Sequence, residues 1–256
     1  MGPTTMAKAG LFLVLVFVLN HGPGCSGNSM LPDNFPRCKQ NDPNFDACLE
    51  TAVEKAMQIL GDGIPSLQLL PVDPLKIEKA TIEQGGNSPV NYKFLITDSE
   101  LKGLGKVKST AARANWKDRE FDMDFYVPQT ILTGNYELDG KFTLLPIKGK
   151  GKFNMILADF KTNSKLKADL VTKDGNKYWN VKSINLFITE PKNFTAHFDN
   201  LFNGNKLLGE STNKALNENW KEFWEELRPS MEDTFGKVFV HISNVIFSKV
   251  PEKNLF

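Results

Sequence analysis

Hydrophobic and polar residues alternate with a period of two through the middle of the chain. From Leu75 onward, apolar residues recur at every second position in residues 90–97, 121–127, 142–144, 153–157, 165–170 and 184–188. This period is typical of β-strands with one buried and one solvated face. Turn signals separate the stretches, at Gly85–Asn87, Asp139–Gly140, Lys148–Gly149 and Asp174–Gly175. Because no helical crossover segment lies between them, the pattern predicts an antiparallel sheet.

Two segments on either side of this region have a helical period instead. Residues 48–60 carry a short apolar stripe and end at Gly61–Gly63. A much longer segment runs from about Ser211 to Lys249, with a stripe made of Leu216, Trp220, Phe223, Leu227, Met231, Phe235, Val238, Ile242 and Val245. Pro229 lies inside this segment and predicts a kink, and two shorter helices divided at Pro229 are the alternative.

The length of the second helical segment bears on the shape of the fold. A continuous helix over residues 211–249 would be roughly 58 Å long, whereas a compact body of this chain length would be about 45 Å across. We therefore predict an elongated α+β fold, in which a strongly curved antiparallel β-sheet wraps one long C-terminal helix. A lipocalin-type barrel is the alternative fold, although its helix would be far shorter.

The beginning of the chain has the pattern of a secretory signal peptide. Lys8 precedes the apolar run Ala9–Leu19, and small residues follow it up to Gly27. The run is too short to span a bilayer, although an uncleaved membrane anchor is the alternative. We expect a signal peptide at residues 1–25, with cleavage between Gly22 and Ser29, and one secreted, extracellular domain at residues 26–256.

Removal of the signal peptide changes the number of cysteines. The full chain contains Cys25, Cys38 and Cys48, and the loss of Cys25 leaves one pair. In an oxidising compartment, we expect Cys38 and Cys48 to form a disulfide. Asn193 begins an Asn-Phe-Thr sequence, which is the acceptor for N-linked glycosylation and predicts a surface position.

Composition and missing motifs exclude several functions. The net charge is +1, which argues against a nucleic-acid partner. The mature chain keeps only His197 and His241, and it lacks a Gly-x-Ser-x-Gly elbow. His241 lies near the apolar stripe, where we expect a structural role. Residues 148–152 alternate Lys and Gly without the ending of a phosphate-binding loop, so we expect a hairpin turn with solvated lysines.

Asp122 and Asp124 are two residues apart in a predicted strand, and we expect them on its solvated face rather than at a cation. No Cys/His cluster has metal-ligand spacing. We therefore expect no catalysis, metal or cofactor. The chain contains 19 Phe but only 4 Tyr and 4 Trp, and such a composition suits a protein that holds something apolar.

Several motifs follow one another along the mature chain. They are the Cys38 and Cys48 pair before Gly63–Pro65 and Val72–Leu75, then Leu132–Gly140 with Leu144–Gly151, then Phe198–Gly209 with Asn217–Trp220, and finally Phe247–Pro251. In this order they resemble the insect takeout and juvenile-hormone-binding family. The chain lacks cysteines for the second disulfide of moth haemolymph carriers, so it is more similar to the takeout branch.

The resemblance implies a fold and a function. It implies a long helix wrapped by a curved sheet, with an internal apolar tunnel, similar to one half of the tubular lipid-binding proteins of the bactericidal/permeability-increasing type. It also implies a carrier whose partner is a hydrophobic small molecule, such as a terpenoid hormone or fatty acid, without stable membrane insertion. The resemblance does not decide whether such a carrier also has a receptor as a protein partner. The alternatives are a secreted interaction or signalling protein with a structural cavity, and a lipid-ester hydrolase.

Such a tunnel would be lined by large, flat or flexible side chains from the inner faces of the sheet and helix. From the strands, the candidates are Phe94, Phe121, Met123, Phe125, Phe153 and Met155. From the helix, they are Phe223, Leu227, Met231 and Phe235.

Overall fold

The computed structural model describes residues 31–84, 91–142 and 145–256. The signal peptide expected at residues 1–25 and the predicted turn at Gly85–Asn87 lie outside the described residues. The elements in chain order are α1 (Phe45–Asp62), β1 (Leu75–Gln84), β2 (Asn91–Lys102), β3 (Lys108–Asn115), β4 (Glu120–Phe142), β5 (Leu145–Lys173), β6 (Asn176–Ile188), β7 (Asn193–Phe198), α2 (Lys206–Glu218) and α3 (Trp220–Phe247).

The described strands form one curled sheet in which every pairing is antiparallel, which confirms the prediction. The strand order is β1-β2-β4-β5-β6, with β3 also beside β4 and β7 also beside β5. The long strands β4 and β5 pair from Glu120↔Lys167 to Phe142↔Leu145 and form the centre of the sheet. Helix α3 packs against β6, β1 and β7, and α1 packs against β3. The architecture is therefore α+β, with a curled sheet and helices packed on it.

Two of the predicted turns are wrong. Asp139–Gly140 and Lys148–Gly149 face each other inside the β4–β5 ladder, where Asp139 pairs with Lys148. The ladder continues past both sites to the pair Phe142↔Leu145. The turn at Asp174–Gly175 is confirmed, since Lys173 and Asn176 pair on either side of it.

The Lys and Gly alternation at residues 148–152 belongs to β5 rather than to a hairpin turn. The exposed side chains of Lys148 and Lys150 face Asp139 and Glu137 across the ladder, at 3.3 and 3.4 Å. A Cβ at Gly151 would lie 2.7 Å from the carbonyl oxygen of Asp199. The physical reason for glycine is therefore the close approach of the chain that follows β7.

The predicted helix at residues 48–60 is confirmed with wider bounds, whereas the single continuous helix predicted over residues 211–249 is wrong. Helix α1 extends the predicted segment 48–60 and ends before Gly63, whose φ is 79°. The C-terminal helical region begins earlier than predicted, at Lys206, and consists of two helices that meet at Asn219. The side chain of Asn219 donates to the carbonyl of Ala215 at 2.8 Å, which satisfies a backbone group at the end of α2. The predicted alternative, a division at Pro229, is wrong because α3 continues through Pro229.

A disulfide joins Cys38 to Cys48, as predicted. It ties the segment before α1 to the first turn of that helix, and the two cysteines are ten positions apart. In the chain-entropy account, a loop of this size stabilises the native state by about 3 kcal/mol.

We therefore expect the double substitution Cys38→Ala and Cys48→Ala to lower the free energy of unfolding by about 3 kcal/mol. The double variant avoids leaving a free thiol. Urea unfolding of both proteins without reductant measures the difference. A loss below about 1 kcal/mol would show that the cross-link constrains the unfolded chain little.

Candidate functional site

A cavity of about 340 Å³ lies between the inner face of the sheet, helix α1 and the second half of α3. Strands β4, β5 and β6 supply its floor, with Phe125, Leu157 and Leu186 among the lining residues. Helix α1 contributes Leu49, Ala52, Val53, Met57 and Leu60, and α3 contributes Met231, Phe235, Phe239, Ile242, Ser243, Ile246 and Phe247. Phe35, Pro36, Leu255 and Phe256 complete part of the wall from the two ends of the described chain.

The wall of this cavity is almost entirely apolar. None of the described residues that line it is charged, and its polar side chains are the hydroxyls of Thr130, Thr162, Ser164 and Ser243. Such a wall offers dispersion contacts and removal of apolar surface from water, but no ionic group for a charged ligand. The arrangement is therefore suited to an apolar molecule and lacks a charged side chain for acid–base chemistry.

The charged residues of the same strands face the other way. Asp122 and Asp124 share the side chain of Asn163, whose Nδ2 donates to their Oδ1 atoms at 2.6 and 2.8 Å. Lys165 approaches Asp122 at 3.7 Å, and Arg113 approaches Asp124 at 3.6 Å, with all four side chains partly exposed. The two aspartates therefore lie on the solvated face, as the alternation predicts.

Five of the ten predicted lining residues lie on the cavity wall. They are Phe121, Met123, Phe125, Met231 and Phe235. Their contact with a ligand stays a prediction, because their position shows only that they face the open space.

The other five, Phe94, Phe153, Met155, Phe223 and Leu227, are buried elsewhere in the core and are not on this wall. The Phe94 ring packs against those of Phe153 and Phe198, with centroids 5.4 and 5.9 Å apart. The Phe223 ring lies 5.6 Å from that of Phe194. Alternation marks the inward side of a strand, but it does not show how far along the strand the packing becomes tight. These five residues are therefore not on the wall of this cavity, and their contact with a ligand stays a prediction.

Sequence reasoning also missed part of the wall. The stripe of α1, which includes Leu49, Val53 and Met57, has a clear helical period that predicts the helix but not its place on the wall. Phe239 and Ile242 lie farther along α3 than the chosen candidates. Thr162 and Ser164 are in phase with the inward residue Leu166, but a strand pattern does not show whether an inward hydroxyl meets open space or packed neighbours.

The two histidines of the described chain are not on the cavity wall. His241 is exposed, so the expected structural role on the apolar stripe is wrong. The Nε2 of His197 lies 3.1 Å from Oδ1 of Asp199, and both side chains are more than half exposed. Within the described ranges, no group of three or more His, Cys, Asp or Glu residues could hold a metal ion.

Tyr136 is the tyrosine whose titration the structure changes most. Its hydroxyl donates to the carbonyl of Asp199 at 2.6 Å. Burial, and next the negative charge of Asp199, raise the pKa of Tyr136 from 10.0 to about 12. The native state thus favours the neutral phenol, and this stabilisation is complete below pH 10.

We expect this stabilisation to be lost as the pH rises from 10 to 12, since the unfolded tyrosine ionises first. Free energies of unfolding measured at pH 9 and pH 11 for the natural protein and for Tyr136→Phe test this. The natural protein should lose more stability than the variant over this interval. Equal losses in the two proteins would contradict the raised pKa.

Among the residues that the structure covers, no helix combines the length and the hydropathy needed to cross a membrane. The curled antiparallel sheet, the helices packed on it and the uncharged cavity between them define an α+β protein with an apolar interior pocket.

The family model described as haemolymph juvenile hormone binding protein matches residues 11–256, and the chain belongs to this family. The circadian clock-controlled protein daywake of Drosophila melanogaster is 29% identical over 262 residues, which cover 98% of each chain. The Drosophila yakuba protein of the same name is 29% identical over 234 residues and 88% of each chain. The crystal structure of Epiphyas postvittana Takeout 1 shares the fold, with a TM-score of 0.73 and 24% identity over 86% of this chain and 98% of that one.

Proposed function

We propose that this protein is a secreted carrier that binds a small hydrophobic ligand in its apolar cavity and does no chemistry on it. The ligand class is a terpenoid hormone, a fatty acid or a similar lipid. The observation that carries the proposal is the cavity of about 340 Å³ whose described lining residues include no charged side chain. Membership of a family described by its binding of juvenile hormone supports the same conclusion.

The energetics of such a site favour affinity without polar recognition. Transfer of apolar surface from water contributes about 25 cal/mol per Å², so a ligand that buries about 300 Å² gains about 7 kcal/mol before the costs of association. A micromolar dissociation constant corresponds to about 8 kcal/mol after those costs, so a ligand of that affinity must bury a larger apolar area than this.

We further propose that Phe121, Met123, Phe125, Met231 and Phe235 contact the ligand, because all five lie on the wall. The two methionines are flexible, and a flexible side chain adapts to ligands of different shape. The rings supply flat apolar area to hold a chain or an isoprenoid group in place.

Secretion and glycosylation are part of the same proposal. The disulfide between Cys38 and Cys48 suits an oxidising compartment. Asn193 is exposed at the first position of β7, where a glycan has room. Secretion from insect cells tests both modifications. The mature protein should begin between Pro23 and Ser29, and enzymatic glycan removal should lower the mass of the natural protein but not of Asn193→Gln. An intact residue 1–25 segment or an unchanged mass would contradict these two assignments.

The binding experiment uses delipidated protein and displacement of a fluorescent apolar probe. A panel of terpenoids, fatty acids and quinones should include ligands that displace the probe at micromolar concentrations or below. Affinity for uncharged members should depend little on salt, because no charged group lines the described cavity. If no member displaces the probe, the carrier proposal fails, and a secreted interaction or signalling protein with a structural cavity becomes the better account.

A further inference from the structure

We propose that Thr162 and Ser164 form a polar subsite inside the cavity that selects uncharged ligands with one hydrogen-bonding group, such as an alcohol, ester or ketone oxygen. This inference rests on the proposed function and adds a ligand class to it.

The position of the two residues places their side chains together. They are two apart on β5, so they share the inner face, with Cα atoms roughly 7 Å apart, and both line the cavity. Across the ladders, Thr162 is opposite Phe125 on β4 and Ile188 on β6. Ser164 is opposite Met123 and Leu186 in the same way. All four of these neighbours are apolar and also line the cavity. The two hydroxyls are thus a small polar area within an apolar floor.

The two hydroxyl groups have unused hydrogen-bonding capacity. Ser164 is only 9% exposed, and the side-chain hydrogen bonds among the described residues involve neither Ser164 nor Thr162. Their ladder neighbours Phe125, Met123, Ile188 and Leu186 offer no side-chain oxygen or N–H. A hydroxyl in an apolar environment is costly without a partner, and it can both donate and accept. A ligand oxygen between the two residues would satisfy both groups.

The absence of charge on the wall decides which oxygen fits. None of the described lining residues is a lysine, arginine or histidine that could pair with a carboxylate. A carboxylate at Thr162 and Ser164 would lose its hydration without gaining a counter-ion, which is strongly unfavourable. The site therefore favours a neutral oxygen and takes a fatty acid in its protonated form.

Thr172 provides a matched control away from the cavity. It is exposed, lies on the same strand β5 and is not among the lining residues. It is ten positions from Thr162, or about 33 Å along the strand. The change Thr172→Val removes a hydroxyl of the same kind outside the binding site.

The test compares three probes of equal chain length, tetradecane, 1-tetradecanol and tetradecanoic acid, by displacement of a fluorescent apolar probe at pH 5 and pH 8. In the natural protein, 1-tetradecanol should bind about 3- to 10-fold more tightly than tetradecane, since one hydrogen bond is gained. Thr162→Val and Ser164→Ala should each lower the affinity for 1-tetradecanol by up to this factor and leave the affinity for tetradecane unchanged. Thr172→Val should change neither affinity, and Thr162→Ser, which keeps the hydroxyl, should retain the affinity for 1-tetradecanol.

The pH arm tests the selection against charge. The affinity for tetradecanoic acid should fall about tenfold per pH unit above the pKa of its carboxyl group, whereas that for 1-tetradecanol should be the same at both pH values. Equal binding of the acid and the alcohol at pH 8 would overturn the inference. An equal loss of affinity for 1-tetradecanol in Thr172→Val would also overturn it.

The outcomes separate this inference from the proposed function. If all three probes bind and no variant distinguishes them, the cavity binds lipid and the polar subsite is wrong. If no probe binds the natural protein at either pH, the proposed function fails and the subsite fails with it.

Discussion

Replacing Phe153 with alanine should lower the free energy of unfolding by about 3–5 kcal/mol, whereas the same change at Phe235 should cost only about 1–2 kcal/mol. Both side chains are at most 5% exposed, so solvent exposure alone does not distinguish them. The Phe153 ring lies in a tightly packed cluster, with centroids 5.4 Å from Phe94 and 6.2 Å from Phe198. Phe235 faces the cavity, where part of its surface has no protein neighbour to lose.

Denaturant unfolding and probe binding measured on both variants give the comparison. Phe235→Ala should enlarge the cavity and change its preference for ligand size, and Phe153→Ala should leave that preference unchanged at temperatures where it is folded. A loss of more than about 3 kcal/mol at Phe235, with unchanged binding, would mean that the residue belongs to the packed core.

Filling the cavity with Leu186→Trp should weaken the binding of long apolar ligands by about 10- to 100-fold. Leu186 lines the cavity from β6, opposite Ser164. The larger side chain occupies the space that the ligand needs. Fitting both into the cavity costs about 1–3 kcal/mol of overpacking, and this cost corresponds to the expected 10- to 100-fold loss of affinity. The protein should stay folded because the added ring enters existing open space.

The next residue along the chain provides the control. Phe187 is 51% exposed and belongs to the opposite face of β6, beside Arg228. Phe187→Trp should therefore leave both ligand binding and stability nearly unchanged. Equal affinity in the natural protein and Leu186→Trp, with both folded, would place the ligand outside this cavity.

Local periodicity was sufficient to predict the class of the fold. The alternation around Phe121 and Met155 gave the strands and their inward sides, and the absence of helical segments between them gave antiparallel pairing. The stripe of α1 and the longer stripe of α3 gave the helices. These signals are local because burial on one face repeats every two residues in a strand and every three to four in a helix.

The lengths of the strands could not be predicted in this way. Strands β4 and β5 contain 23 and 29 residues, yet the pattern divided each into pieces. Val127 and Thr130 both line the cavity although they are three apart, as do Leu157 and Phe160. The inward side therefore changes at this point along both strands, where Asp159 has a φ of 55°. A prediction from alternation ends the strand where the two-residue period breaks. In the structure, the backbones of β4 and β5 stay paired across that point.

The sequence predicts the apolar character of the site and some of the residues that line it. Large apolar side chains were expected on the wall, and Phe125 and Met231 are there. Phe94 and Leu227 have the same type and the same inward position, but they meet neighbours that fill the space around them. Whether two surfaces pack or leave a gap depends on the curvature of the whole sheet and on where α1 covers it. Neither is encoded in a short sequence window.

The most direct test of the carrier proposal is native mass spectrometry of the protein secreted from insect cells, with Leu186→Trp purified in parallel. We expect the natural protein to carry one small, uncharged, apolar molecule per chain, recoverable in an organic extract, and the variant to have lost most of it. A natural protein with no bound mass that also takes up none when lipid is added would contradict the account. Retention of the same molecule by Leu186→Trp at the same occupancy would contradict its location in the cavity.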